Sequence, residues 1–392
     1  MKKGFYLLLI GESMSQIGNN LFDIAIMWYL YKVTTNALTI GIVTAIFNLI
    51  VLLNIYTGFL ADKFKKTNIM KLVDGVQVVL MILATIIYQS GDITLVSIVL
   101  ISFLSKVLGT FFNPAVDALI PQLVDRASLS KANGLNQGVQ MVTQMIGMLL
   151  GGVMVAFVPL SWFMAINGGT FIISIIFIYA LTLTFHEKVS KVVAKQDSKW
   201  YAGVNYIFRQ PILKIVIFLA LIINFTLGPV MGLDIIWVRG ALHSSALIYS
   251  MTQIGLMSGV ILGNILVNLV KWPLKRKLVF TFLVMGASVS LMALLRSPIG
   301  TIFTLVTMGL AAGFINVSVY TIIQTQTPTN LLGRVSGSVL AGCNISMPLG
   351  IMVGGAVSHV IGIDELFLLE GVMTLMIAIF VLSILRVPQS VA

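Results

Sequence analysis

Charged side chains are scarce in this chain of 392 residues, since only 9% are Asp, Glu, Lys or Arg, whereas about 25% is usual for soluble domains. The single cysteine, Cys343, excludes an intramolecular disulfide and a cysteine metal cluster. The histidines are isolated, and the sequence has neither an HExxH motif nor a phosphate-binding loop, so we expect no enzyme and no cofactor. Because 58% of the residues are apolar, the composition predicts an integral membrane protein.

Basic residues outnumber acidic ones and give a net charge of +11. Such an excess can indicate nucleic-acid binding, but these residues are scattered through short connections, so we expect no nucleic-acid partner. If both termini are cytoplasmic, all basic residues except Lys32, Lys106, Arg239 and Arg296 fall in inner connections, as the positive-inside rule requires. We therefore expect a multi-pass protein of a bacterial-type inner membrane with both termini in the cytoplasm.

Long apolar stretches alternate with short polar connections along the whole chain. A hydrocarbon layer of roughly 30 Å is crossed by about 20 helical residues. Stretches of this kind predict twelve transmembrane helices, over residues 4–31, 37–60, 68–89, 93–116, 134–158, 160–184, 211–238, 244–270, 278–295, 299–323, 335–360 and 365–386. The amino terminus resembles a signal peptide, but no cleavage site follows and the apolar pattern continues past Trp28, which favours a first span.

The spans form two sets of six, separated by the longest polar stretch. One constant offset aligns polar and glycine residues of the two sets, among them the pairs Asn113–Asn316, Gly134–Gly337, Gly147–Gly350 and Gly151–Gly354. Such internal similarity indicates a duplicated unit. We predict an N-terminal six-helix bundle (1–184), a cytoplasmic central loop (185–210) and a C-terminal six-helix bundle (211–392), related by pseudo-symmetry.

Three motifs resemble those of a known family. Segment 58–66, Gly-Phe-Leu-Ala-Asp-Lys-Phe-Lys-Lys, resembles the Gly-x-x-x-Asp-Arg-x-Gly-Arg-Arg loop of the major facilitator superfamily. Segments 112–121 and 129–133 resemble the signature between the fourth and fifth spans of its drug-proton antiporter branch, which contains macrolide efflux proteins, and segments 324–328 and 333–335 resemble the signature between the tenth and eleventh spans. The resemblance covers the whole chain and implies the major facilitator fold. Lys65 stands where the family prefers Gly.

The first span carries a polar stripe. At roughly 100° per residue, four of its polar side chains lie within an arc of about 60° and a fifth lies beside them. These residues are Glu12, Gln16, Asn19, Asp23 and, beside them, Asn20. Because a polar face toward lipid would cost several kcal/mol, we expect the stripe to face a water-filled cavity between the two halves. The alternative is that the amides bond to neighbouring helices.

Two acids in this stripe suggest proton coupling. Burial favours the neutral form of a carboxyl group and a nearby cation favours the charged form, so Glu12 or Asp23 could take up and release protons. Lys106 in span four is the expected intramembrane counter-charge, in either a structural or a functional ion pair.

Other acids lie elsewhere in the spans. Asp234, shortly after Pro229 in span seven, is a candidate for substrate or proton contact if the helix opens there. Asp74 and Asp117 lie toward helix ends, where capping or gating is expected. Glu370 lies near the outer end of span twelve, where we expect it to be solvated.

The family resemblance also implies an inner gate. It implies that Asp62, in the loop that begins at Gly58, helps to hold this gate closed by interacting with the start of span eleven near Arg334. A negative charge is favoured near a helix amino terminus. Lys63 adds positive charge to the same loop, where its main role is expected to be topological.

These features together predict a proton-coupled secondary exporter of amphipathic small molecules, of a multidrug or macrolide type, that works by alternating access. The expected partners are the substrate, protons and membrane lipid, and we expect a monomer to be functional. A secreted metabolite such as a siderophore, or a lysophospholipid, is the alternative cargo. A transporter-like sensor is a third possibility.

Overall fold

The computed structural model describes residues 3–54, 56–57, 64–91, 94–125, 128–185, 187, 202–270 and 272–384. Within these ranges the regular structure is helical, without β-strands. Twelve long helices there correspond in order to the twelve predicted spans: α1 (Lys3–Val33), α2 (Ala37–Leu49), α3 (Lys66–Gln89), α4 (Leu95–Leu123), α5 (Leu129–Met154), α6 (Leu160–Thr184), α7 (Pro211–Gly232), α8 (Ala246–Leu266), α9 (Leu274–Leu295), α10 (Pro298–Gln326), α11 (Thr329–Ile361) and α12 (Ile363–Ile384).

Shorter elements adjoin these helices. A three-ten turn (Ile50–Leu53) extends α2, a π-helical turn (Ile236–Ala241) follows α7, and a linker helix (Ala202–Arg209) precedes α7. Helix α4 was predicted to end at residue 116, but it continues to Leu123 and contains Pro114 and Pro121.

Most of the long helices can cross a membrane. In the described part of the chain, α3, α4 and α6 to α12 are long and apolar enough to do so. Helices α1 and α5, with 31 and 26 residues, are also long enough, but their polar side chains lower their hydropathy. Helix α2 and its turn form a shorter apolar helix, Ala37–Leu53. The predicted all-α, multi-pass fold class is confirmed.

The helices form two compact units. Unit 1 comprises Met1–Thr34 and Ile50–Lys195, and unit 2 comprises Thr35–Leu49 and Gln196–Ala392. Helix α2 therefore belongs to unit 2, because it packs against α11. Gly41 permits this packing, since a methyl group there would lie 3.1 Å from the Ile351 carbonyl oxygen. The predicted division at residues 184 and 211 did not include a transfer of α2 to the second unit, and that division stays a prediction.

Glycine positions bring helices into backbone contact inside each unit. In unit 1, a methyl group on Gly147 of α5 would lie 2.6 Å from the carbonyl oxygen of Ile17 on α1. In unit 2, a methyl group on Gly350 of α11 would lie even closer to the carbonyl oxygen of Phe225 on α7. Gly147 and Gly350 are one of the pairs aligned by the sequence repeat, so the same close approach occurs in both halves.

Helix α7 ends earlier than predicted. Pro229 lies in its last turn, and the backbone leaves the helical conformation at Leu233 before the π-helical turn begins. The Trp237 ring of that turn is buried, and its Nε1 donates a hydrogen bond of 3.1 Å to the Thr301 hydroxyl on α10. This contact fixes the break in place, and Asp234 lies within it.

Glu187, three residues after the end of α6, caps the amino terminus of α3. The Glu187 carboxylate accepts hydrogen bonds from the backbone N–H groups of Lys66, at 2.6 Å, and Thr67, at 3.1 Å. The Thr67 hydroxyl donates a third, at 2.9 Å. These bonds satisfy N–H groups that have no partner within the helix, and the negative charge complements the helix dipole.

We predict that Gly147→Ala lowers the unfolding temperature by several degrees, because the added methyl group would force α1 and α5 apart. Gly138→Ala on the same helix is the matched control, since its methyl group would meet nothing within 4 Å and Ala favours the helix by about 1 kcal/mol relative to Gly. Thermal unfolding in detergent, followed by tryptophan fluorescence, compares the two variants. Equal unfolding temperatures would contradict the close contact.

Candidate functional site

The polar stripe of α1 contacts three other helices of unit 1. Glu12 is buried, with 4% of its surface exposed. Gln16, Asn19, Asn20 and Asp23 are only partly buried. Helix α1 packs against α5 and α6 and also touches α4, and each of these helices supplies a partner to the stripe. The stripe therefore contains both enclosed and accessible polar groups.

Asp23 and Lys106 form an ion pair. The Lys106 ammonium group on α4 lies 2.8 Å from both carboxylate oxygens of Asp23. The Asp23 side chain is 45% exposed and the Lys106 side chain is 30% exposed. The structure thus pairs Lys106 with Asp23, while the role of this pair stays a prediction.

Glu12 has a different environment. Its Oε1 accepts a hydrogen bond from the Gln140 amide on α5, whereas its Oε2 is buried and has no hydrogen-bond partner among the residues that the structure describes. Asp117 on α4 is close enough to interact electrostatically with this carboxyl group. An uncharged donor on one side and an acid on the other make this a site that can hold a proton, because an unpaired charge is unfavourable there.

The amides of the stripe bond mainly to protein groups. The Asn167 amide on α6 donates to Asn19 Oδ1 at 3.4 Å. The Asn20 amide donates to the Gln16 carbonyl oxygen at 2.7 Å, within α1. The alternative interpretation, in which amides connect neighbouring helices, therefore applies to Asn19, whereas Asn20 bonds along its own helix.

Asp234 is enclosed rather than exposed by the break in α7. It is 8% exposed, its Oδ1 accepts a hydrogen bond of 2.9 Å from the Ile235 backbone N–H, and its Oδ2 accepts one from the Gln253 amide on α8. The π-helical turn and α8 cover the position that the broken helix would otherwise open. Its predicted contact with substrate or protons stays a prediction.

Unit 2 contains a cavity of about 750 Å³ among α7, α8, α10 and α11. Among the described residues that line it, none is charged, and the polar groups are mostly amides. These amides belong to Asn224, Asn264, Asn316, Gln324 and Asn344. The Oδ1 atom of Asn264 is buried without a hydrogen-bond partner. Aliphatic side chains and Tyr320 complete the wall, so the cavity combines an apolar surface with uncharged hydrogen-bonding groups.

The predicted gate falls mostly outside the described residues. Gly58, Asp62 and Lys63 all lie there. Arg334 is described and lies near the start of α11, where the linker helix packs so closely that a methyl group on Gly203 would lie 2.6 Å from the Arg334 carbonyl oxygen. The gating role of this set stays a prediction.

The environment of one acid, Glu370, differs from the expected one. Glu370 was expected to be solvated, but only 4% of its surface is exposed and its Oε2 has no hydrogen-bond partner. It lies two turns inside α12, which packs against α9, and this packing removes it from solvent.

Sequence reasoning missed the residues that complete the site. Three of them donate hydrogen bonds to side chains of the predicted site, namely Gln140, Asn167 and Gln253. Two others, Asn264 and Asn344, line the cavity. All five are amides within apolar helices, which is a signal that the sequence does contain. It is a weak one, because an amide gives no indication of which distant residue it contacts.

Comparison with known proteins supplies the broader context. Residues 8–350 match the family model of the Major Facilitator Superfamily. Macrolide efflux protein A of Streptococcus pyogenes is 23% identical over 387 residues, which cover 96% of this chain and 95% of that protein. The staphyloferrin A transporter of Staphylococcus aureus is 25% identical over 204 residues, which cover 52% of this chain and 48% of that protein.

Solved structures share the fold. The nucleoside transporter NupG superposes with a TM-score of 0.73 at 15% identity and covers 99% of this chain and 100% of its own. A bacterial homologue of the human lysosomal transporter Spinster superposes with a TM-score of 0.73 at 12% identity, with 97% of each chain covered. At these identities the similarity concerns the fold alone.

We predict energetic coupling between Asp23 and Lys106. Asp23→Asn and Lys106→Gln should each lower the unfolding temperature, and the double variant by less than the sum, because the second substitution removes a partner that is already lost. Since the pair is partly exposed, its coupling should lie between the roughly 0.2–1 kcal/mol of surface pairs and the roughly 3–5 kcal/mol lost when a buried pair is broken.

The pair Arg296–Asp364, with an N–O distance of 3.0 Å and Arg296 62% exposed, provides the control for this cycle. Arg296→Gln and Asp364→Asn should be nearly additive. Additive effects at Asp23 and Lys106 as well would show that their contact contributes nothing to stability.

Proposed function

Because this chain belongs to the Major Facilitator Superfamily, we propose that it is a secondary active exporter that exchanges amphipathic small molecules of the macrolide type for protons. The similarity to macrolide efflux protein A over nearly the whole of both chains supports this cargo. The absence of a nucleotide-binding motif from the sequence supports a gradient as the energy source. The proposed orientation places both termini in the cytoplasm.

The observation that supports proton coupling is the buried environment of the Glu12 carboxyl group. A buried carboxyl group with one amide donor and one unpartnered oxygen is stable as a neutral acid. It becomes stable as an anion only when water or a cation reaches it. Binding and release of a proton at Glu12 would therefore follow changes in its enclosure. Asp23 differs, since Lys106 already stabilises its charge.

The cavity of unit 2 supports the proposed substrate class. Its aliphatic and aromatic wall suits the apolar part of an amphipathic molecule, while its amides can bond to hydroxyl or carbonyl groups. A cavity of about 750 Å³ falls in the usual range of small-molecule sites. We propose that this cavity contributes part of the substrate site.

Export of a secreted metabolite is the second candidate, favoured by the similarity to the staphyloferrin A transporter over about half of each chain. A lysophospholipid cargo and a sensor role have no comparable support. No charged residue lines the cavity of unit 2, so an anionic metabolite would find no cation there. We therefore place this candidate after the amphipathic drug-like cargo.

We predict that macrolides or cationic dyes collapse the pH gradient of energised inside-out vesicles that contain the wild-type protein. In Glu12→Gln this response should be clearly weaker than in the wild type while the protein remains folded, because this side chain can no longer exchange a proton. Glu365→Gln is the matched control, since Glu365 is exposed at the start of α12, and it should respond as the wild type does. Fluorescence of a pH-sensitive dye reports the gradient.

A substrate that is transported without any effect on the gradient would rule out proton exchange. If both the wild type and Glu12→Gln collapse the gradient equally, protons are exchanged but Glu12 does not carry them. A panel that includes siderophores and lysophospholipids tests the alternative cargoes in the same assay.

We predict that Asn344→Leu raises the apparent KM for the best substrate of this panel by about 5- to 30-fold, which corresponds to the loss of one hydrogen bond worth about 1–2 kcal/mol. Asn268→Leu is the control, because Asn268 is an exposed residue after α8 that does not line the cavity. Initial transport rates at several substrate concentrations give the apparent KM of each variant. An unchanged KM in Asn344→Leu would show that this part of the cavity does not bind the substrate.

A further inference from the structure

Asp74 is a buried acid that the proposed exchange does not yet use. It lies eight residues after Lys66, the first residue of α3, and therefore about 12 Å along the helix. Its exposed fraction is 0%. A capping role was expected from its position in the sequence, but Glu187 occupies the start of α3 instead.

No group that could neutralise Asp74 bonds to it in the described part of the chain. Both carboxyl oxygens are buried without a hydrogen-bond partner of normal geometry. The hydroxyl group of Ser174 on α6 lies beside the carboxyl group and is itself buried without such a partner. Lys71, one turn earlier on α3, forms no ion pair with it among those that the structure contains.

The helices that pack against α3 supply no free cation either. These are α6 and α4. The only titratable group of α6 is Tyr179, which is exposed. On α4, Lys106 is bound to Asp23, and Asp117 is another acid. An ionised Asp74 would therefore be a buried charge without compensation, which costs several kcal/mol, so the protonated form fits this site.

A row of polar side chains lies between this site and the stripe of α1. Asn167, Thr170 and Ser174 are spaced at i, i+3 and i+7 and therefore lie on one face of α6. The Thr170 hydroxyl donates to the Asn167 carbonyl oxygen at 2.7 Å, and the Asn167 amide donates to Asn19 of the stripe. The row thus runs from Ser174, beside Asp74, to Asn19 on α1.

We propose that Asp74 is a second proton-binding site of unit 1, which takes up and releases a proton during the exchange. The inference rests on the proposed proton-coupled export, and it adds to Glu12 a site enclosed between α3 and α6. When Asp74 is neutral, the two helices can remain packed around it. When it loses its proton, the charge must gain access to water or to a cation, which requires that this interface loosens.

Infrared spectroscopy tests the first part of this inference independently of transport. At neutral pH the wild type should show a carboxylic acid C=O band that is missing in Asp74→Asn, and Ser174→Ala should shift that band because Ser174 lies beside the acid. Asn has nearly the shape of the neutral acid, so the variant is expected to fold. Glu365→Gln should leave the band unchanged. A difference spectrum without this band would overturn the inference.

Proton release per transported substrate tests the second part. Asp74→Asn should lower this ratio to about half of the wild-type value, because one of two proton-binding carboxyl groups is lost. A ratio equal to that of the wild type would overturn the inference and leave Asp74 as a structural acid. No substrate-dependent proton release in the wild type would overturn the proposed function itself, whereas the infrared band would still show whether Asp74 holds a proton.

Discussion

A hydrocarbon layer supplies no hydrogen-bond partners, and the polar groups of this protein are arranged around that constraint. Inside unit 1, the polar stripe of α1 would be unfavourable if α1 stood alone. Gln140 of α5, Lys106 of α4 and Asn167 of α6 each satisfy one of its members. The packing of four helices and the chemistry of the stripe thus depend on each other, since the helices hold the polar groups and the polar groups fix which helix faces meet.

Close backbone contact makes this arrangement possible. Gly147 lies against Ile17, between the positions of Glu12 and Asn20 on α1, and Gly350 makes the corresponding approach to α7 in unit 2. Such contacts act over a short range and do not depend on side-chain shape. They occur in both halves because the two halves share one pattern of small residues, while their polar residues have diverged. The polar stripe of unit 1 contains acids and an ion pair, whereas the amide-lined cavity of unit 2 has no charged residue among the described residues that line it.

The sequence predicted the twelve helices because apolar length and the distribution of basic residues act locally along the chain. It also predicted that the acids of α1 would need a counter-charge, for which Lys106 in span four was the candidate. It did not predict that Gln140 would bond Glu12, which is separated from it by 128 positions, because periodicity reveals the face of a helix and not the partner of that face. For the same reason the burial of Asp234 and Glu370 and the cavity of unit 2 were missed.

Under the proposed exchange, the ion pair and the unpaired acids have different consequences. Lys106 and Asp23 form an ion pair in a partly exposed position, where their opposite charges offset each other. In the described part of the chain, Glu12 and Asp74 have no cation bound to them, and each change of their protonation state would change the charge within unit 1 by one. A helix interface that encloses a neutral acid is less stable around an anion. Proton release and the loosening of packing around α1, α3 and α6 are therefore thermodynamically linked, and this linkage would let a proton gradient move the helices.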